Sequence, residues 1–222
     1  QIKPILAVVP CRKYFDFIEN LWSQKIGDLN ILNIILNKLL NLDLINNVII
    51  SSDDVNIKKS YNKNDKIKFA KRITDLTIRS RPIVDSLIGI FNKYDKKLNG
   101  LTVIWPIQCP QIKLDTVKEA VDSLILNDAD SCIVVNQITN PIFQRQETGL
   151  RQLTNKGFLV SDFDKLYLDT RSLIVIKNSN LSVGSLLGSK IVGINTFDDE
   201  TIYIDSITKL NFVRHLNLDQ DV

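Results

Sequence analysis

Four places in this sequence set residues suited to phosphate or metal binding at the end of an apolar run. They are Pro10-Cys11-Arg12, Ser51-Ser52-Asp53-Asp54, Trp105-Pro106-Ile107-Gln108 and Tyr203-Ile204-Asp205. If the four runs share one sheet edge, an arginine, three carboxylates and several hydroxyls meet there. An arginine offers phosphate a planar fork of donors, and Mg2+ takes one or two carboxylates together with phosphate oxygens. Such a set suits a triphosphate and its metal ion. Asp53 and Asp54 also have a plainer reading, since aspartate often caps the helix that follows it, and spacing favours that cap.

Other reactive residues point to less chemistry. Cys11, Cys109 and Cys132 are far apart, and His215 is the one histidine. That spacing makes neither a His/Cys zinc site nor a disulfide scaffold, so a cytoplasmic or other reducing compartment is expected. No histidine is placed to activate Cys11 or Cys109, which read as inert thiols. His215 reads as structural. The chain has 222 residues, a net charge of +3, 24% charged and 44% hydrophobic residues. That charge is too small to point to a nucleic-acid partner. No apolar run reaches the roughly 18 residues of a membrane span.

The elements that must position these residues follow from periodicity. Short apolar runs at 4–9, 48–50, 66–72, 101–106, 131–135 and 173–177 read as strands, mostly buried on both faces. Residues 29–42 set Ile31, Ile34, Ile35, Lys38, Leu39 and Leu42 at helical spacing. Residues 82–94, with Pro82 in the first turn, and 114–130 read as two more helices. A short helix and an edge strand are expected over 185–196, and a strand end leading into a last helix over 201–216. The alternation predicts one α/β domain over 1–222: a three-layer sandwich around a mixed, mostly parallel sheet of about seven strands. The polar stretch 137–172 reads as an inserted arm.

The order of these segments resembles the CMP-sialic acid synthetase (acylneuraminate cytidylyltransferase) family, which is related to 3-deoxy-octulosonate cytidylyltransferase. "ILAVVPCR" is similar to that family's opening "AIIPAR", and "LINNVIISSDD" to its "L-x-x-V-V-V-S-T-D-D". "TVIWPIQCPQIKLDTVKEAVDSLILNDADSCIVV" looks like its "V-x-L-Q-P-T-S-P-L-R" passage with the following helix and strand. "IYIDSITKLNFVRHL" is similar to its closing "D-I-D-T-x-x-D-L". The resemblance implies a glycosyltransferase-A-like domain that dimerises with a second copy through 137–172. It implies attack of an acidic sugar's hydroxyl on the α-phosphate of CTP, helped by Mg2+, with release of pyrophosphate. By this resemblance Arg12 and Asp205 are catalytic, and Asp205 holds the metal. Pro10, Cys11, Arg12, Ser52, Asp53 and Arg72 would bind nucleotide. Trp105, Gln108, Tyr167 and Arg171 would bind substrate, Arg171 pairing with the sugar carboxylate. Taken without the resemblance, Trp22 and Trp105 read as core aromatics, and Arg72, Arg79 and Arg81 as a solvated cluster.

The departures fall in the first loop and the last motif. The family's loop "P-A-R-G-G-S-K-G-I-P-x-K-N" sets its glycines on Lys13 and Tyr14, and its lysines on Asp16 and Leu21. Close backbone approach to phosphate needs small residues, and neutralising phosphate needs cations. Tyr14, Phe15 and Phe17 oppose the first need, and Asp16 and Glu19 the second, with Lys13 or Lys25 as the available replacements. In the last motif the first aspartate is Tyr203, and Lys209 stands where the family often has a further acid. Two functions follow as expectations: a cytidylyltransferase acting on a sialic-acid-type sugar, or a catalytically degenerate relative serving as a binding or dimerisation module.

Overall fold

A computed structural model describes residues 4–72, 83–153 and 166–216. These residues form a seven-stranded sheet. Its strands are β1 (Ile5–Cys11), β2 (Asn47–Ser52), β3 (Ile67–Lys71), β4 (Leu101–Ile104), β5 (Ser131–Gln137), β6 (Tyr167–Lys177) and β7 (Ile191–Asn195). Its helices are α1 (Ile31–Leu40), α2 (Ile83–Tyr94), α3 (Leu114–Leu126) and α4 (Ile207–His215).

The strand order is β3-β2-β1-β4-β6-β5-β7. β6 runs antiparallel to both its neighbours, and every other pairing is parallel. The expected mixed α/β sandwich is therefore present. Alternation along the strands feeds two cores. Ala7, Val9 and Cys11 face one side with Val48 and Ile50, against α1, α3 and α4. Leu6 and Val8 face the other with Ile49, against Leu87, Ile90 and Phe91 of α2. Each Val, Leu, Ile or Phe among them taken out of water contributes about 1.5–3 kcal/mol.

Local signals set the element ends. Asn30 caps α1 by accepting from Asn33 N at 2.7 Å, and Ser206 caps α4 by accepting from Lys209 N at 3.2 Å. Because β1, β2 and β4 are parallel, their carboxyl ends lie along one edge of the sheet. β6 runs the other way and brings its first residues to that edge. There its pairing with β5 shifts register between Asp169 and Ile174. Arg171 sits in this bulge with φ 59°, its N–H donating to Asp169 Oδ1 at 2.8 Å. A left-handed arginine is uncommon and points to a constrained position.

Several sequence expectations need correction. β6 starts at Tyr167, so the first part of the strand lay hidden in the expected arm. Beyond β5 the chain forms an exposed hairpin, Phe143–Gln146 paired with Gly149–Gln152. Residues 154–165 of the arm and Pro82 lie outside the described residues. No helix opens 185–196, since the 3-10 turn falls earlier, at Asn178–Val183. Tyr203-Ile204-Asp205 is not a strand end. It is held instead by backbone pairing, with Ile204 N donating to Gln108 O at 3.0 Å. Just upstream, buried Glu200 accepts from Lys113 N at 3.0 Å and Thr116 Oγ1 at 2.7 Å, tying the segment to the start of α3. No helix among the described residues is long and apolar enough to cross a membrane.

Candidate functional site

A cleft of about 470 Å3 opens at the carboxyl edge of the sheet. Pro10 and Arg12 enter it from the end of β1, Arg72 from the end of β3, and Pro106 and Gln108 from the turn after β4. Arg171 comes from the β6 bulge, and Tyr203 and Asp205 from the segment before α4. The sheet topology thus gathers Pro10, Arg12, Arg72, Gln108, Arg171 and Asp205, residues spread over most of the sequence.

The cleft sets three guanidinium groups, Arg12, Arg72 and Arg171, against the carboxylates of Asp16 and Asp205. Burial lowers the Arg72 pKa, the nearby positive charge of Arg12 lowers it further, and Asp53 opposes the shift. Burial raises the Tyr203 phenol, and the charges of Arg171 and Arg12 pull it back. Tyr203 therefore lies in the field of both arginines. Guanidinium groups facing one half-buried cleft suit phosphate or carboxylate, with the phenol as a further donor.

Other expected site residues sit elsewhere. Cys11 is 0% exposed and turned into the core, where burial raises its thiol far above the ordinary range. Cys109 is buried and raised for the same reason. Ser52 is buried, its Oγ accepting from Asp54 N at 3.0 Å. Asp54 does cap the following 3-10 turn, accepting from Asn56 N at 2.9 Å. Asp53 does not, and its Oδ1 instead accepts from Lys13 N at 2.8 Å. Asp53 thereby pins the loop after β1. Trp105 is core: it is 0% exposed and its indole donates to Cys109 O at 2.8 Å. Tyr167 is 48% exposed and lies outside the cleft lining. Arg79 and Arg81 are outside the described residues. His215 Nδ1 lies 2.8 Å from Asn211 O within α4, in keeping with a structural role.

The loop after β1 takes a form the spacing did not reveal. Tyr14–Phe15 and Ile18–Glu19 pair as a miniature hairpin. Phe15 and Phe17, with ring centroids 5.9 Å apart, line the cleft together with Asp16. Lys13 does not line it: its ammonium lies 3.3 Å from Glu19 and 4.8 Å from the Tyr14 ring centroid. Lys25 lies on the α4 side, its carbonyl accepting from Arg214 Nε at 3.0 Å. The wall that would cradle phosphate is aromatic. Sequence reading named these aromatics but could not tell that two of them face inward.

Asp205 is the cleft carboxylate expected to hold Mg2+. Its Oδ2 lies 2.8 Å from Lys209 Nζ, and this contact holds the carboxyl below its usual range. A divalent ion at Asp205 would have to displace or share space with an ammonium of the same sign. Among the described residues no three His, Cys, Asp or Glu side chains come together as a metal site. Asp205 thus offers a magnesium ion a carboxylate that is already paired with an ammonium.

No protein-family model matches this chain, and no curated protein is similar to it in sequence. Solved structures share its fold. The CMP:2-keto-3-deoxy-manno-octonic acid synthetase, complexed with CTP, superposes with a TM-score of 0.71 at 11% identity, covering 99% of this chain and 100% of that one. The 2-C-methyl-D-erythritol 4-phosphate cytidylyltransferase of Francisella tularensis gives 0.69 at 13% identity, covering 95% and 98%. The 4-diphosphocytidyl-2C-methyl-D-erythritol synthase of Anaerococcus prevotii DSM 20548 gives 0.67 at 12%, covering 96% and 95%. The chain therefore has a cytidylyltransferase-like fold.

Proposed function

We propose that this chain is a binding domain on a cytidylyltransferase-like fold. Its cleft holds a cytidine nucleotide such as CTP through Arg12, Arg72 and Arg171, without a magnesium ion and without transferring CMP. The observation that carries this reading is the Lys209–Asp205 pair at 2.8 Å, which sets an ammonium beside the carboxylate a metal would need. The aromatic wall of Phe15 and Phe17 supports it. Flat rings can pack against a base or sugar, but they supply none of the backbone donors of a phosphate cradle. A fold is shared by many functions, so the site has to decide.

A second reading rests on the gathering of Arg12, Gln108, Arg171 and Asp205 in one cleft. Under it, CTP binds with Mg2+ at Asp205 and a sialic-acid-type sugar pairs its carboxylate with Arg171. The sugar hydroxyl forms a bond to the α-phosphorus, the bond from that phosphorus to the β-phosphate bridge breaks, pyrophosphate leaves, and the hydroxyl proton passes to solvent.

Pyrophosphate release separates the readings. The purified chain is incubated with CTP, Mg2+ and a set of eight- and nine-carbon sugar acids. The binding-domain reading predicts no release above a protein-free control. Metal-dependent release with any of the sugars would establish the transferase instead.

A further inference from the structure

A second recess, of about 390 Å3, lies between α2 and the sheet edge made by β2 and β3. The sheet contributes Ser51, Ala70, Lys71 and Arg72, and α2 contributes Ser86, Gly89 and Lys93. Its size falls within the roughly 300–1,000 Å3 of small-molecule sites. Two independent features mark it as more than a packing gap.

The first is Ser51. It is 1% exposed, lines the recess, and its Oγ has no hydrogen-bond partner among the described residues. A buried hydroxyl left unpaired costs about 1–3 kcal/mol, so such groups normally have partners. The second is Gly89, in the interior of α2. A Cβ built there meets no atom within 4 Å. Packing does not demand a glycine at this point, yet glycine inside a helix costs about 0.5–1 kcal/mol relative to alanine. Gly89 is itself exposed, so the glycine leaves the mouth of the recess open to solvent. Lys71, Arg72 and Lys93 face the recess against one carboxylate, Asp85. Phe69 and Tyr94 add aromatic wall.

We propose that this recess is a second ligand site, for a small phosphate-bearing molecule. The phosphate is held by Lys93 and Arg72, and Ser51 Oγ donates to it from the floor. Arg72 lines both this recess and the main cleft. The two sites therefore share one guanidinium, and occupancy of one alters the charge seen by the other. Arg72 is common to this site and to the main-cleft reading, whereas Ser51, Gly89 and Lys93 line the recess and not the cleft, so their variants test the recess separately.

The test is an amide NMR titration with inorganic phosphate on the wild-type chain, Gly89→Leu and Lys93→Gln. Leucine is a better helix former than glycine and covers the open mouth, so Gly89→Leu should melt no lower than wild type. The wild type is expected to show shifts at Ser51, Ser86 and Gly89. Gly89→Leu should abolish those at Ser51 and Ser86, keep any at Gln108 and Tyr203, and Lys93→Gln should weaken the recess at least several-fold. Unmoved Ser51 and Ser86 amides in the wild type would overturn the proposal. So would shifts that persist unchanged in both variants, which would place the anion in the main cleft alone.

Discussion

Lys209 Nζ lies 2.8 Å from Asp205 Oδ2, one helical turn away across the cap residue Ser206. The cap fixes the backbone of Lys209, and the turn of α4 then delivers its ammonium to the carboxylate. Both side chains are substantially exposed, and exposed pairs of this kind are worth about 0–1 kcal/mol. The pair therefore matters for what the cleft accepts far more than for stability. Lys209→Ala should leave the melting temperature nearly unchanged while making CTP binding sensitive to Mg2+. Melting curves and titrations with and without the metal check this. A drop in stability with no new metal response would count against it.

The loop after β1 should depend on Asp53. Its carboxylate accepts from Lys13 N at 2.8 Å across 40 residues of sequence. Asp53→Ala leaves that N–H unpaired, at a cost of about 1–3 kcal/mol if it stays shielded from water. Chemical denaturation should register the loss, and CTP affinity should fall with it because Arg12 adjoins the loop. Asp54→Ala should cost about 1 kcal/mol through its cap and leave affinity alone.

Gly188 offers a stability test at a residue that does not line the cleft. Its φ is +73°, and an added Cβ would sit 2.3 Å from Asp130 Cβ. Gly188→Ala should destabilise the fold by at least about 1–2 kcal/mol from backbone handedness alone. Thermal or urea melts read this directly.

Asp130 gives a pH dependence with a defined sign. It accepts from Lys190 N and Ser189 N, each at 2.9 Å, and these bonds lower its pKa. A lowered folded pKa means that its contribution is present above the unfolded carboxylate value, near 3.9, and is lost as pH falls through the folded value. Asp130→Asn should therefore flatten the acid limb of stability against pH. An unchanged acid limb would contradict this.

The exposed hairpin bears on assembly. Phe143 and Leu150 are well exposed on one face of it. An apolar group of this kind is a common interaction surface, and we propose that a second copy of this chain covers it. Leu150→Glu should shift sedimentation from dimer to monomer without lowering the melting temperature of the monomer. A wild-type chain that sediments as a monomer at all concentrations would end this proposal.

The sequence made the frame legible where apolar runs were long or clearly periodic. β1, β2 and β4 are buried on both faces, and α1 and α3 keep helical spacing, so all five stand out. The first part of β6 did not, because Tyr167, Leu168 and Asp169 are exposed and pair with β5 only through tertiary structure. At the site, adjacent identical residues diverged. Asp54 caps a turn while Asp53 reaches back to Lys13, a difference set by backbone direction and not by residue type. Trp105 stands where the resemblance expects a substrate residue, yet the turn after β4 buries its ring. Lys209 was visible as a departure. Its contact with Asp205 needed only the four-residue spacing and a helix starting at Ser206, a signal that helical reading can find.

The central claim is tested most directly by calorimetric titration of CTP into the wild-type chain, first with EDTA and then with Mg2+. Binding in both conditions with equal affinity is the predicted result, since the arginines and not a metal neutralise the phosphates. Binding that appears only with Mg2+, or tightens tenfold or more, a gain of about 1.4 kcal/mol, would contradict the account.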